Sequence, residues 1–259
     1  MGIFGKIFEK KICDFCGSEI GLLGNRKLED GNMCKQCAAK LSPWFSDRRS
    51  STVADIRKQL EYREANKLEV ASFHTTRSFG TDIKVLIDED AKKFMVTSAR
   101  NLIEANPDVL SFSQVTGCDL NIDEDRDEAM KTDNDGNSVS YNPPRFTYSY
   151  SFEMIIRVNH PYFDTIKFEL SPSDVEINPD NPVTADKAPN PEENRDYREY
   201  QEMGNEIKNI IMRSRQEMRD AAAPKKPVTC PNCGAITTLE RWPRIPLSEP
   251  EPVPPSEQA

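Results

Sequence analysis

Two Cys-x-x-Cys pairs, Cys13-Asp-Phe-Cys16 and Cys34-Lys-Gln-Cys37, stand 17 residues apart within a 25-residue window. One such pair says little. Two at this spacing match the four-cysteine zinc pattern. Four thiolates close the tetrahedron around Zn²⁺ and leave no position for water or substrate, so the site implied is structural rather than catalytic. The segment has too few apolar residues for a core of its own. Metal binding, worth roughly 10–16 kcal/mol of apparent folding energy, can stand in for one. A redox pair is the competing reading.

The residues between the pairs suggest a shape. Gly17 follows the first pair, where a tight knuckle needs a permissive backbone. Ile20–Leu23 and Arg26–Glu29 flank the turn-forming Gly24-Asn25, and Asp30-Gly31 turns the chain again. Cys34 and Cys37 then open a short helix over Lys35–Leu41, stopped at Ser42 because Pro43 disfavours helix before it. Knuckle, hairpin and helix resemble a treble-clef finger over residues 12–47. Trp44 and Phe45 are expected beneath the metal site. Four thiolates and one Zn²⁺ carry −2, which Lys10, Lys11, Arg26, Lys27, Lys35 and Lys40 are near enough in sequence to offset.

Charge constrains the function class. The net charge of −9 is uneven: residues 1–58 hold 11 Lys/Arg against 7 Asp/Glu, or +4, which leaves −13 for the rest. No strongly basic footprint of the kind nucleic-acid binders carry is present. No run of apolar residues is long enough for a membrane span, and no secretory h-region follows the N-terminus. Six of seven cysteines lie in Cys-x-x-Cys pairs, which suits metal binding in a reducing cytoplasm.

Residues 1–11 read MGIFGKIFEKK, with Ile3, Phe4, Ile7 and Phe8 on one helical face. This arm packs on the zinc module, is disordered, or touches a membrane surface. Lys6 stands where a myristoylation signal takes Ser or Thr. Arg48-Arg49 reads as a solvated helix entry, with phosphate contact as the alternative. A helix of residues 50–73 opens on a Thr52/Asp55 capping box. Val53, Ile56 and Leu60 give it an apolar stripe, interrupted by Arg63-Glu64-Ala65-Asn66-Lys67; that polarity reads as a connector between modules.

Five stretches carry a resemblance: Ile12-Cys-Asp-Phe-Cys-Gly, Gly21-Leu-Leu-Gly-Asn-Arg-Lys-Leu-Glu-Asp-Gly, Cys34-Lys-Gln-Cys, Leu41-Ser-Pro-Trp-Phe and Tyr62-Arg-Glu-Ala-Asn-Lys. Together they resemble the bacterial domain-of-unknown-function family 4428 over about residues 12–77. The resemblance implies a zinc module on Cys13, Cys16, Cys34 and Cys37 and a bacterial origin. Members pair the module with a β-rich domain and sometimes a C-terminal zinc ribbon, and the family has no assigned activity.

Residues 78–220 read as that β-rich domain. Ile83–Ile87 and Lys93–Thr97 flank a hairpin turn, and Val109–Val115 and Gly117–Ile122 are further apolar runs. Phe146, Tyr148, Tyr150, Phe152, Met154, Ile156 and Val158 alternate without a miss, so one face of that strand is buried. After a turn at His160–Asp164, Ile166, Phe168 and Leu170 resume the alternation. An amphipathic helix over Tyr197–Asp220 follows, with Tyr200, Met203, Ile207, Ile210, Ile211 and Met218 on one face. The layout resembles a pleckstrin-homology-like or GRAM-like barrel; a two-layer sandwich competes. The fold class is therefore α+β. Residues 119–135, with eight acidic and two basic side chains, read as a solvated hairpin tip or insertion, and Asp133-Asn-Asp-Gly136 as a turn rather than a calcium loop. Residues 172–194 read as a flexible link.

The tail, 221–259, is proline-rich and reads as disordered. It holds Cys230-Pro-Asn-Cys233, half of a zinc knuckle. Two cysteines cannot close a site, so this is a remnant, a clasp shared with a second copy of the chain, or a half-site completed elsewhere. Among catalytic readings, a Cys118–His160 dyad is outweighed by Cys118 as a buried small hydrophobe. The expected function is a non-enzymatic zinc adaptor of the cytoplasm that binds a protein partner. Peripheral attachment to the inner membrane face through residues 1–11 and nucleic-acid binding through Arg48-Arg49 are the alternatives.

Overall fold

The computed structural model describes residues 11–223 and the backbone of 227–229 and 236–238. The chain divides into two units at Met218 and Arg219. The amphipathic arm lies outside the described residues except for Lys11.

In the first unit β1 (Lys11–Ile12) pairs antiparallel with β2 (Glu19–Ile20). The knuckle between them is closed by Cys13 N–H donating to the Ser18 carbonyl and Gly17 N–H donating to the Cys13 carbonyl, both at 2.9 Å. Gly17 takes φ +70, the left-handed region that a side chain would strain. The expected Gly24-Asn25 hairpin does not form. Gly24 N–H instead closes a turn on the Gly21 carbonyl at 2.9 Å. The paired strands that follow are β3 (Arg26–Lys27) and β4 (Asn32–Met33), joined through the Asp30-Gly31 turn.

Helix α1 (Lys35–Ala38) starts from Cys34 as its N-cap. It ends earlier than Leu41, because Lys40 and Leu41 N–H bond three residues back, to Cys37 and Ala38, in tightened turns ahead of Pro43. Helix α2 (Val53–Ser72) carries the expected capping box, with Thr52 and Asp55 each accepting from the other's backbone N–H.

β5 (Arg77–Phe79), β6 (Lys84–Asp88) and β7 (Lys93–Thr97) form an antiparallel meander. After the single-turn α3 (Leu102–Ala105) it is joined by β8 (Leu110–Ser111), giving the order β5-β6-β7-β8. The second sheet is built on β10 (Ser138–Val158). Along one side β10 pairs with β9 (Val115–Thr132); on the other it takes β11 (Thr165–Glu169) and β12 (Val175–Ile177). No ladder joins the two sheets among the described residues, so the barrel closure expected from the layout is not seen there. A 3₁₀ turn at Phe112–Gln114 separates β8 from β9 at the crossing.

Tyr148, Tyr150, Phe152, Met154, Ile156 and Val158 are all buried, as the alternation requires. They share one core with Ile87 and Phe94 of the first sheet, with Phe112 of the 3₁₀ turn and with Ile207, Ile210 and Ile211 of α4 (Arg195–Ala222). Tyr197 of α4 meets Tyr150 and Phe152 edge-on, with ring centroids at 5.0 and 5.2 Å. Such pairs add about 0.5–1.5 kcal/mol beyond area burial.

The solvated hairpin expected around residues 119–135 forms, whereas the stretch read as a flexible link contains a strand. The acidic segment 119–135 is mostly strand, extending β9 alongside β10 as an exposed hairpin. The ladder shifts register between Ser140 and Arg145, where Pro143 and Pro144 have no N–H to give. Its tip is the expected turn, with the Asp133 carboxylate accepting N–H from Asp135 and Asn137. The segment 172–194 contains β12, whose Val175 and Ile177 are buried. In the second unit β13 (Pro227–Thr229) pairs with β14 (Ile236–Thr238). The tail thus holds a short ladder, β-branched apart from Pro227, around the third Cys-x-x-Cys, rather than disorder throughout. Cys230 and Cys233 themselves lie outside the described residues.

Candidate metal centre

Each cysteine pair is carried by a different local structure. Cys13 and Cys16 sit in the β1–β2 knuckle, and Cys34 and Cys37 at the start of α1. The fold brings the four Sγ atoms within 4.8 Å of one another, close enough to hold one metal ion between them. Cys16 Sγ and Cys34 Sγ are 3.7 Å apart. Cys13 is 1% exposed and Cys37 is buried, whereas Cys16 faces solvent.

The backbone favours thiolates here. Cys34 N–H points at Cys13 Sγ (3.3 Å) and Cys37 N–H at Cys34 Sγ (3.4 Å). Ser18, through its hydroxyl and then its backbone N–H, holds the Cys16 thiol at about 6. Burial works to raise Cys13, but the N–H groups of Cys34, Cys16 and Phe15 outweigh it and leave it lowered. Cys37 is pushed up by burial and then by its three sulfur neighbours. Those neighbours act through hydrogen bonding and, for Cys13, also through like charge; a divalent cation at the centre would relieve that crowding.

The knuckle is braced from outside. Asp14 Oδ2 accepts the Asn32 N–H at 2.6 Å, and the Asp14 carbonyl accepts from Arg57 of α2 at 2.7 Å. The Arg57 guanidinium lies 5.5 Å from the centre of the Phe15 ring. A Cβ on Gly31 would stand 2.4 Å from Val53 Cγ2 and 2.7 Å from Asp14 Oδ2, so this approach of β-hairpin to helix excludes a side chain. Leu28, Met33, Leu41 and Ile56 fill the small core, with Phe45 packed on it. Trp44 departs from expectation: it packs against the core of the β sheets.

A buried polar clasp joins this module to the rest of the first unit. Arg63 of α2 donates to Asp108 Oδ1 (2.7 Å), to the Lys40 carbonyl (3.1 Å) and to the Asn106 carbonyl. Ser42 Oγ donates to the other Asp108 oxygen at 2.7 Å. Asn66 donates to Asn106 Oδ1 and the Pro107 carbonyl and accepts the Val109 N–H. Arg63, Asn66 and Asp108 are 5%, 2% and 2% exposed. Within the polar interruption of α2, Arg63 and Asn66 are thus buried in a joint, while Glu64, Ala65 and Lys67 stay exposed. The partners of Arg63 and Asn66 lie 23 residues upstream, at Lys40, and 40 or more downstream, at residues 106–109, which no local pattern signals.

Other sequence candidates are not brought together. Cys118 is buried in β9 within the main core, and burial pushes its thiol up to about 12. His160 lines a cleft of about 830 Å³ with Trp44, Phe45, Asp47 and Tyr162. Its ring lies 5.0 Å from Tyr62 and 4.1 Å from Phe163, and burial lowers its pKa. Arg48 and Arg49 border a second cleft, about 690 Å³, with Asn25, Arg26, Lys27, Leu28 and Glu29. Among the described residues no helix is long and apolar enough to cross a membrane.

No curated protein and no solved structure matches the chain. The model of one family, described as a domain of unknown function (DUF4428), matches residues 11–59; the match spans all four clustered cysteines and ends inside α2, before Arg63.

Proposed function

We propose that the chain is a non-enzymatic zinc protein. Its N-terminal module is a treble-clef-like finger held by Zn²⁺ on Cys13, Cys16, Cys34 and Cys37, and it works as an adaptor whose surfaces take a protein partner in a reducing, cytoplasmic setting. The sulfur geometry carries the metal part of this reading. Zinc bound to four thiolates at about 2.3 Å needs sulfurs separated by about 3.8 Å. Cys16 and Cys34 stand at 3.7 Å, and all four lie within 4.8 Å. Four sulfurs fill the coordination shell. The ion would supply folding energy and shape rather than a reactive water.

The clasp extends that role. It fixes the metal module to the β sheets through buried groups, so a partner bound to one would meet a fixed arrangement of both. The buried, high-pKa Cys118 supports the non-enzymatic reading, since a thiol nucleophile must ionise. Cobalt(II) substitution of the full-length protein tests it. A closed four-thiolate site keeps its ligand-field spectrum when azide is added. A spectrum that changes with azide would reveal an open position and favour catalysis.

A further inference from the structure

The metal module carries one surface that its own folding does not use. Leu22 and Leu23 are 85% and 89% exposed. Other large exposed hydrophobics, such as Leu68, Ile103 and Met130, are scattered singly, as is ordinary on protein surfaces. Leu22 and Leu23 are adjacent. They occupy the two central positions of the turn closed by Gly24 N–H on the Gly21 carbonyl, which places both at its tip. Ile12, 52% exposed, lies on the adjoining β1–β2 hairpin.

Cations stand at the base of this tip. Arg26 reaches back to the Leu23 carbonyl at 3.5 Å. It also lines the cleft shared by Lys27, Arg48 and Arg49, where Glu29 is the one acidic residue. Arg48 is oriented by its bond to the Lys27 carbonyl at 2.7 Å. None of the four cations forms an ion pair among the described residues. Burial, then the neighbouring Arg26 and Arg49, lowers the Arg48 pKa, a sign of cations crowded without a counter-charge.

We propose that this face docks on an anionic membrane surface, with Leu22 and Leu23 entering the interface and Arg26, Lys27, Arg48 and Arg49 meeting lipid phosphates. The combination selects this occupant. A cationic cleft alone fits any polyanion. Single-stranded nucleic acid is held by cations interleaved with aromatic rings, and this cleft has no aromatic lining. Aliphatic tips gain nothing from a phosphate backbone, whereas in a bilayer interface they leave water. The proposal rests on the zinc reading only in that the metal holds the knuckle and hairpin that carry the face.

The test is co-sedimentation of the full-length, zinc-loaded protein with vesicles of phosphatidylcholine alone and of phosphatidylcholine mixed equally with phosphatidylglycerol. Zinc content is measured on every sample. Binding to the mixed vesicles only is expected, weakening as salt rises. Leu22→Ser with Leu23→Ser should weaken it roughly tenfold or more. Arg48→Gln with Arg49→Gln should weaken it about fivefold per charge. No binding by the zinc-loaded protein, or equal binding to both vesicle types, overturns the proposal. So does full binding by the leucine variant, including the case where only deletion of residues 1–10 abolishes it. Binding to a single-stranded oligonucleotide that survives the leucine changes and is lost with the arginines would assign the face to nucleic acid instead. A preparation that binds no zinc would refute the metal reading separately.

Discussion

Replacing Arg63 by Ala should be among the most damaging single changes outside the metal site. Arg63 is 5% exposed and Asp108 2%. Their 2.7 Å contact is one of three groups that the guanidinium satisfies, the others being the Lys40 and Asn106 carbonyls. In the variant the Asp108 carboxylate keeps the Ser42 hydroxyl but loses its counter-charge. Breaking a buried pair from one side costs about 3–5 kcal/mol, because a charge is left uncompensated. A surface pair costs about 0–1 kcal/mol, so the two cases separate cleanly. For a urea slope of about 2–3 kcal/mol/M the midpoint should fall by roughly 1–2.5 M. Urea unfolding of wild type, Arg63→Ala, Asp108→Ala and the double variant supplies the cycle. The double variant should lose much less than the sum of the singles, since it leaves no orphan charge. An Arg63→Ala loss under about 1 kcal/mol, or strict additivity, would refute the buried clasp.

Three other outcomes follow from the same geometry. Chelation should abolish amide-exchange protection across residues 12–45 while β6, β7 and β10 stay protected; unchanged N-terminal exchange would contradict a metal-held module. Gly31→Ala should cost about 1–3 kcal/mol by overpacking, because its Cβ would lie 2.4 Å from Val53 Cγ2; a neutral effect on thermal unfolding would show that the hairpin can retreat from α2. Asp88 gives a pH dependence. Burial opposes its charge, but N–H donors from Ala91 and His74, at 2.8 and 2.9 Å, outweigh burial and hold its carboxyl below the ordinary range. Its contribution is then present above about pH 4, the ordinary carboxylate value, and is lost as pH falls through the lowered native value. Exchange of the Ala91 and His74 amides should accelerate over that acidic range in wild type; in Asp88→Asn it should be fast already at neutral pH. Equal pH profiles in the two proteins would refute this.

What the sequence revealed was local. The Cys-x-x-Cys spacings, the Thr52/Asp55 box and the alternation from Phe146 to Val158 involve residues within one turn, one knuckle or one strand. Each meets its partners in the way its spacing implies. What it hid depends on distant partners. Arg63 and Asn66 look like solvated polar residues until Asn106, Pro107 and Asp108 arrive opposite them. Val175 and Ile177 sit in a proline- and asparagine-rich stretch and become a strand only because β10 offers a free edge beside Tyr148 and Tyr150. Trp44, next to Phe45, was expected on the metal side; the chain between α1 and α2 turns it toward the β sheets. Barrel closure is also a long-range property, and alternation within single strands carries no information about it.

The central claim is one zinc ion held by Cys13, Cys16, Cys34 and Cys37. X-ray absorption on the full-length protein carrying Cys230→Ser and Cys233→Ser, with metal content measured on the same sample, tests it most directly. The account predicts one zinc per chain with sulfur alone in its first shell at about 2.3 Å. Absence of zinc from a folded protein, or a first shell containing nitrogen or oxygen, would contradict it.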